Sequence, residues 1–346
     1  MRKVKRSVTT FAALAHFGFS FLHDIARMQF GLRPRKPFIV VVTLNTVCNL
    51  RCSYCFIGQE SEHFPEGFAK QGLPTEQVKR MLANIRKDSA LLIITGGEPF
   101  LHRDFEEILR YAKETLNFVN ISVASNGVLL QKNRNCLRYI DRLGISYDLT
   151  RAEEYPEEME RMLLSLVHLK KEKVLPPLHF TMTLLQSQDI SQLGSFFSYC
   201  KTNGYRVWLQ PVRDHGNFTE WNWFMEAVRQ IASLYGQELL LNDLSVIGTF
   251  GSTSAMKLCM PELRLHIMED GNLCYPCVKL EHLHERESVL TKTPMEIWHS
   301  DMKKWREYPN ELCGKCGFTC YFETTGLYSH PFNFIRKAVH HLSGGT

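Results

Sequence analysis

The chain has 346 residues, 44% of them hydrophobic and 22% charged, with a formal charge of +5 at neutral pH. That is ordinary for a soluble globular protein, long enough for one barrel-sized domain and a smaller module, and it excludes a disordered chain. Eleven cysteines, gathered mainly in two clusters rather than spread as the even pairs of a short secreted domain, point to metal binding in a reducing compartment.

The positive charge belongs to one end. Residues 1–36 carry Arg2, Lys3, Lys5, Arg6, Arg27, Arg33, Arg35 and Lys36 against the single acid Asp24, so the rest of the chain is slightly acidic. A nucleic-acid binder would not confine its cations to one terminus, and no nucleic acid is expected as a partner. Between these cations the apolar stretch 8–22 is shorter than the roughly 20 residues a helix needs to cross a bilayer. On a helix, Thr9, His16, Ser20, His23 and Arg27 fall on one narrow stripe, while Phe11, Leu14, Leu22 and Ile25 face elsewhere. Segment 1–37 is therefore expected to lie in a membrane interface. A helix packed on or plugging the main domain is the alternative, and a secretory signal would need a cleavage site that the sequence does not display.

Apolar, β-branched runs recur at 38–45, 91–97, 120–127, 145–150, 179–185 and 206–212, separated by helical periodicity at 74–87, 103–114, 157–173 and 190–204. Strands alternating with helices predict repeated βα units around a parallel sheet, an α/β fold with both sheet faces covered over 38–213. In such folds chemistry collects at the carboxyl ends of the strands. Cys136 and Cys200 fall in helix-like stretches and are expected to be inert buried thiols. After residue 213 the pattern breaks: 214–258 reads as a linking helical segment, and from Cys259 alternating Leu263, Leu265 and Ile267 approach an Asp270-Gly271 hairpin turn. The tail 323–346 is amphipathic, with Phe332, Ile335, Val339 and Leu342 opposite Arg336, Lys337, His340 and His341.

The sequence TVCNLRCSYCF, residues 46–56, sets Cys48, Cys52 and Cys55 in the loop after the first strand, with Tyr54 before the third cysteine. Three thiolates leave a metal short of a ligand. His63 could complete a Cys3His zinc site, whereas three cysteines on a [4Fe-4S] cluster leave one iron open to a chelating ligand. The CxxxCxΦC spacing, Φ being aromatic, resembles that of the radical S-adenosylmethionine (SAM) superfamily. Gly96-Gly97-Glu98-Pro99 after the second strand resembles that family's GGEP element, which implies backbone and carboxylate contacts to the methionyl ammonium. Ser125-Asn126-Gly127 after the third strand resembles its SAM-binding turn, and Ser146-Tyr147-Asp148 falls where relatives place a polar strand end near the ribose or substrate.

The resemblance implies a partial (βα)6 TIM-type barrel, a SAM-binding [4Fe-4S] cluster on Cys48, Cys52 and Cys55, and S-adenosyl-L-methionine as cofactor, with Tyr54, Gly96, Gly97, Glu98, Pro99, Ser125, Asn126, Ser146 and Asp148 as its contacts. It also implies the activity: reductive cleavage of SAM to a 5'-deoxyadenosyl radical that takes a hydrogen from a substrate, oxidoreductase or transferase chemistry fed by a flavodoxin or ferredoxin.

A second set, Cys259, Cys274, Cys277, Cys313, Cys316 and Cys320, occupies 259–322. As CxxC pairs, 274/277 and 313/316 could form a zinc ribbon. The segment also resembles the small α+β SPASM and twitch extensions of radical SAM enzymes, which implies at least one auxiliary [4Fe-4S] cluster. Six thiolates complete one four-cysteine cluster, on Cys259, Cys274, Cys313 and Cys316, with Cys320 and Cys277 competing as ligands or serving a second. The cationic apolar terminus leads to the expectation of a cytoplasmic enzyme, peripheral on the inner membrane face, acting on a lipid or lipid-linked substrate. A peptide or protein modifier of thioether or sulfatase-maturation type is the alternative, and an iron-sulfur electron carrier is the alternative from another class.

Overall fold

The computed structural model describes residues 34–58, 65–186, 188–212, 220–244, 260–274 and 287–300, with 19, 21–27, 30, 32 and 277. Seven strands form one parallel sheet: β1 (Ile39–Thr43), β2 (Leu91–Thr95), β3 (Asn120–Ser125), β4 (Arg142–Ser146), β5 (Leu178–Leu184), β6 (Arg206–Pro211) and β7 (Arg264–Ile267). Their order is β6-β5-β4-β3-β2-β1-β7, so β1 to β6 follow one another in a single direction, as in a curling barrel wall, and β7 joins the opposite edge beside β1. Helices α1 (Thr75–Asp88), α2 (Phe105–Arg110), α3 (Leu149–Glu154), α4 (Pro156–Lys171), α5 (Gly194–Asn203), α6 (Trp221–Tyr235) and α7 (Pro294–Ser300) accompany the strands, with short 3-10 turns between them.

Alternation along the strands divides the sheet into two unlike faces. Val40, Val42, Leu92, Ile94, Ile121, Val123, Leu143, Ile145, Phe180, Met182, Val207 and Leu209 are almost wholly buried and form the main core with the helices. Helix α1 shows how the pairing is made: Val78, Met81, Leu82 and Ile85 recur at helical spacing and all are buried. Each such side chain contributes about 1.5–3 kcal/mol by leaving water. The opposite face carries Thr43, Thr95, Ser146, Thr181, Thr183, Gln210 and His266, which line a cavity. Strands β1 and β2 are apolar on both faces up to their terminal Thr43 and Thr95, with Val41 and Ile93 facing the lumen, whereas β4, β5 and β6 place Ser146, Thr181, Thr183 and Gln210 there.

Two further differences follow from local chemistry. The fourth strand is Arg142–Ser146 rather than 145–150, because Asp148 leaves the strand and caps α3, accepting from Arg151 N at 2.9 Å. Within the segment expected to open the second module, β7 pairs in parallel with β1 from Ile39↔Arg264 to Val42↔Ile267. The turn at Asp270-Gly271 is present: Gly271 has φ +81° and Ile267 bridges Leu273 antiparallel. Cys136 and Cys200 are buried in the core as expected.

The helical residues 21–27 rest on the barrel. Phe21 packs against Phe38, ring centres 5.6 Å apart, and against Leu263, while buried Asp24 accepts from Arg35 N at 3.1 Å. The outward residues are apolar too: Phe19, Leu22, Phe30 and Leu32 are 76%, 56%, 83% and 50% exposed. Among the described residues no helix is long and apolar enough to cross a membrane. The linking segment is described at α6 and at 236–244 but not at 245–259, and the tail 323–346 lies outside the described residues.

Candidate functional site

At the carboxyl end of the sheet the loops after β1 and β2 are laced together by backbone. Gly97 N donates to Asn45 O at 2.9 Å, Glu98 N to Val47 O at 2.8 Å and Asn45 Nδ2 to Glu98 O at 3.3 Å. Only glycine permits this approach. A Cβ on Gly96 would lie 2.4 Å from Asn45 O, and one on Gly97 2.4 Å from Val47 O. The pair therefore fixes the backbone immediately before Cys48.

Glu98, expected to meet the methionyl ammonium, is held by donors of the chain itself. Its carboxylate accepts from Phe100 N at 3.2 Å, Ser125 Oγ at 2.9 Å and Asn126 N at 2.8 Å, and the side chain is fully buried behind the cavity wall. Burial pushes its pKa up to about 7, with the Asn126 and Phe100 amides and Ser125 pulling the other way. It is a latch joining the β2 and β3 loops. Pro99 opens the short 3-10 turn Pro99–Leu101 that follows. Asn126, held by this latch, reaches the cysteine loop: its Nδ2 donates to Asn49 Oδ1 at 2.9 Å and lies 3.8 Å from Cys48 Sγ.

The cysteine loop is gripped on its other side by the start of α3 and its end. Tyr54 donates its hydroxyl to Asp148 Oδ2, Arg51 N donates to Tyr155 Oη at 2.7 Å, and Ser53 N to Glu154 Oε2 at 3.3 Å. Arg151 completes the group, pairing with Asp148 at 3.0 Å and lying 5.6 Å from the Tyr54 ring centre. Burial works against the Arg151 charge, yet Tyr54 and Asp148 hold its pKa above the usual arginine value. Its Nε is buried without a partner, as is Asn45 Oδ1, which lies against Gly96.

These residues enclose a cavity of about 280 Å³ lined by Cys48, Cys52, Tyr54, Cys55, Gly96, Gly97, Ser125, Asn126, Ser146 and Arg151, continuing down the lumen past Thr181, Thr183, Gln210, Arg264 and His266. Thr43 Oγ1 and His266 Nε2 are 2.8 Å apart, and Gln210 Nε2 donates to Thr183 Oγ1 at 3.0 Å. Burial pushes the Cys48 thiol up to about 11 and raises Cys52 as well, the latter opposed by Arg151. Such thiols ionise when a metal supplies the positive charge. Among the described residues no three ligating side chains converge on one ion-sized point. The unpartnered donor of Arg151, on the cavity lining, fits a carboxylate such as that of an amino-acid moiety.

Sequence reasoning missed Arg151, Asn45, Glu154 and Tyr155. The signal for Arg151 was present in Asp148-x-x-Arg151, a helix cap followed one turn later by its ion-pair partner. Of the second cysteine set, Cys274 is buried with Ile57 and Met268, and Cys277 and Cys55 pack against the same group. Cys259, Cys313, Cys316, Cys320 and His63 lie outside the described residues.

The radical SAM superfamily model matches residues 42–170. Curated relatives include GTP 3',8-cyclase of Limosilactobacillus fermentum, 29% identical over 55% of this chain and 58% of that protein. GTP 3',8-cyclase of Lactiplantibacillus plantarum is 28% identical over 47% and 50% respectively. The chain thus spans about half the length of the curated relatives it matches. Among solved structures, Streptococcus suis SuiB bound to S-adenosylmethionine has a TM-score of 0.60 at 14% identity, covering 84% of this chain and 74% of that one. Native anSMEcpe with bound AdoMet and Cp18Cys peptide has a TM-score of 0.58 at 15% identity, covering 87% and 97%. At these identities the structural likeness speaks for the fold, a partial barrel of parallel strands. The family match marks residues 42–170 as similar to radical SAM domains.

Proposed function

We propose that Cys48, Cys52 and Cys55 hold a [4Fe-4S] cluster with one open iron, that SAM binds against Gly96, Gly97, Asn126 and Arg151, and that a substrate in the lumen below loses a hydrogen atom. The observation that carries this reading is the meeting of three thiols, a glycine cradle and the buried, unpartnered Nε of Arg151 on the lining of one cavity. When bound, the two cofactors supply a 5'-deoxyadenosyl radical by one-electron cleavage of SAM. The chain's own residues bind and orient. Asp148 aims the Arg151 guanidinium, Tyr54 ties the cysteine loop to Asp148, and Glu98 fixes the turn that presents Asn126. Phe56, Ile57, Phe68, Val41 and Ile93 line the cavity with apolar surface that keeps water from the reacting atoms.

Cys274 and Cys277, with Cys259, Cys313, Cys316 and Cys320, are the proposed ligand pool for at least one auxiliary [4Fe-4S] cluster, and a flavodoxin or ferredoxin is the proposed reductant. The exposed Phe19, Leu22, Phe30 and Leu32 beside Arg27, Arg35 and Lys36 support a peripheral membrane contact and, with it, a lipid or lipid-linked substrate. The polar lumen supports a second reading, a small polar substrate of the kind named in the GTP 3',8-cyclases. The test is anaerobic incubation of reconstituted, reduced protein with SAM, which is expected to release 5'-deoxyadenosine that Cys48→Ala does not. Flotation on anionic vesicles with and without residues 1–36 separates the two substrate readings. Equal flotation removes the motive for a lipid.

A further inference from the structure

The far end of the cavity holds a cation that neither the proposed cofactors nor the chain itself uses. Along β7, Leu265 and Ile267 turn into the core, so Arg264 and His266 face the lumen, and both line the cavity. His266 is engaged: its Nε2 lies 2.8 Å from Thr43 Oγ1. Arg264 enters no hydrogen bond or ion pair among the described residues, and its guanidinium nitrogens remain accessible.

The charge of the lining has one sign. Among the described residues that line the cavity none is an aspartate or glutamate, and two are arginines. Arg151, at the cysteine loop, has its charge matched by Asp148 at 3.0 Å, and its unpartnered Nε is the proposed contact of SAM. Arg264 is then the uncompensated charge of the lumen. A half-buried guanidinium on the wall of a cavity is unfavourable until an anion meets it. A cationic substrate group, by contrast, would find no carboxylate on this lining to receive it. Register sets the depth. Arg264 pairs with Ile39 and His266 with Val41, so Arg264 stands four residues, roughly 13 Å along the strand, from the level of Thr43, where β1 gives way to the cysteine loop. Between those levels the lumen wall is apolar at Val41 and at its register partner Ile93.

We infer that Arg264 anchors a carboxylate of the substrate, an acid whose aliphatic part lies along Val41 and Ile93 and whose attacked C–H bond is several bonds from the carboxylate. The inference rests on the reading of the cavity as the substrate site and names the class of molecule that fills its far end. One guanidinium suits one carboxylate: the planar fork offers two parallel N–H donors to two oxygens, and the charges cancel. A phosphate monoester, close to dianionic at neutral pH, would keep much of its charge unmet, because Arg264 is the single arginine or lysine among the described lining residues at this end. With the acid held there, the apolar wall directs C–H bonds toward the cysteine loop.

The experiment is isothermal titration of full-length, cluster-loaded protein with SAM, under anaerobic conditions, using hexanoate, hexanamide and inorganic phosphate as probes. Hexanoate is expected to bind, and hexanamide and phosphate to bind at least about tenfold more weakly. Arg264→Gln is expected to lose about tenfold in hexanoate affinity and to keep its affinity for hexanamide, and Arg264→Lys to recover part of the loss. Arg264→Glu is expected to reverse the preference, taking hexylamine over hexanoate, which a distorted site would not do. Flotation on phosphatidylcholine vesicles with and without oleic acid identifies the source: flotation that needs both oleic acid and Arg264 points to a fatty-acyl acid, and hexanoate binding alone to a soluble one. No hexanoate binding by wild type, hexanamide or phosphate bound as tightly as hexanoate, or equal hexanoate affinity in wild type and Arg264→Gln overturns the inference. The comparison of probes on wild type decides the matter even if a variant fails to fold. Release of 5'-deoxyadenosine by wild-type protein is measured separately, and its absence sinks the radical reading while carboxylate binding at Arg264 stands or falls on its own titration.

Discussion

Replacing Gly97 by alanine tests the joint between the two loops that carry the site. The added Cβ would sit 2.4 Å from Val47 O and 2.5 Å from Thr46 O, both backbone atoms that cannot swing aside. Relief requires the loops to part, with loss of the bonds from Gly97 N to Asn45 O (2.9 Å) and from Glu98 N to Val47 O (2.8 Å). Two backbone hydrogen bonds at about 1 kcal/mol each, with about 1–3 kcal/mol for overpacking, give a cost of about 3–5 kcal/mol. Because Val47 adjoins Cys48, that cost falls where the cluster is proposed to be seated. The assay is iron and sulfide per chain after anaerobic reconstitution, together with the rise in melting temperature on adding SAM. Both are expected to drop sharply. Gly204→Ala is the control: φ there is +71° but nothing lies within 4 Å of the new Cβ, so about 1–2 kcal/mol of backbone strain is expected with no change in iron content. A Gly97→Ala protein with wild-type iron and an undiminished response to SAM would refute the reasoning.

Asp148→Ala leaves the Arg151 charge buried without its carboxylate, and a loss of about 3–5 kcal/mol in chemical denaturation is expected; adding Arg151→Met should restore stability but not SAM binding by calorimetry. Glu98 has a folded-state pKa raised from 4.5 to about 7, so the native state binds the proton more tightly than the unfolded one and stability is lost as pH rises between those values. The loss is about 3 kcal/mol in all, and urea titrations of chelator-treated protein should show that slope in wild type and a flat profile in Glu98→Gln. Phe21→Ala removes the side chain that seats residues 21–27 on Phe38 and Leu263, at a local cost of about 3 kcal/mol. Hydrogen exchange should rise around residues 19–32 while iron content stays unchanged.

Much of this was legible in the sequence because local rules and global fold agree. Cys48, Cys52, Cys55 and Gly96-Gly97 could be placed at strand ends because the flanking runs 38–45 and 91–97 are unmistakably strand-like. The fourth strand was misplaced where two signals compete: ISYDLT is β-rich, but Asp148 prefers to cap the helix it precedes. Glu98 illustrates a different limit. A carboxylate after two glycines suits an ammonium, and nothing in the sequence says that Ser125 and the Asn126 amide, 27 and 28 residues on, occupy it first.

The central claim is a cluster on Cys48, Cys52 and Cys55 that leaves one iron open for SAM. The most direct measurement is Mössbauer and electron paramagnetic resonance spectroscopy of anaerobically purified protein, with the second cysteine set replaced, before and after addition of SAM. The account predicts a [4Fe-4S] signal that changes when SAM binds and that disappears in Cys52→Ala. Zinc in place of iron, no acid-labile sulfide, or a spectrum indifferent to SAM would contradict it.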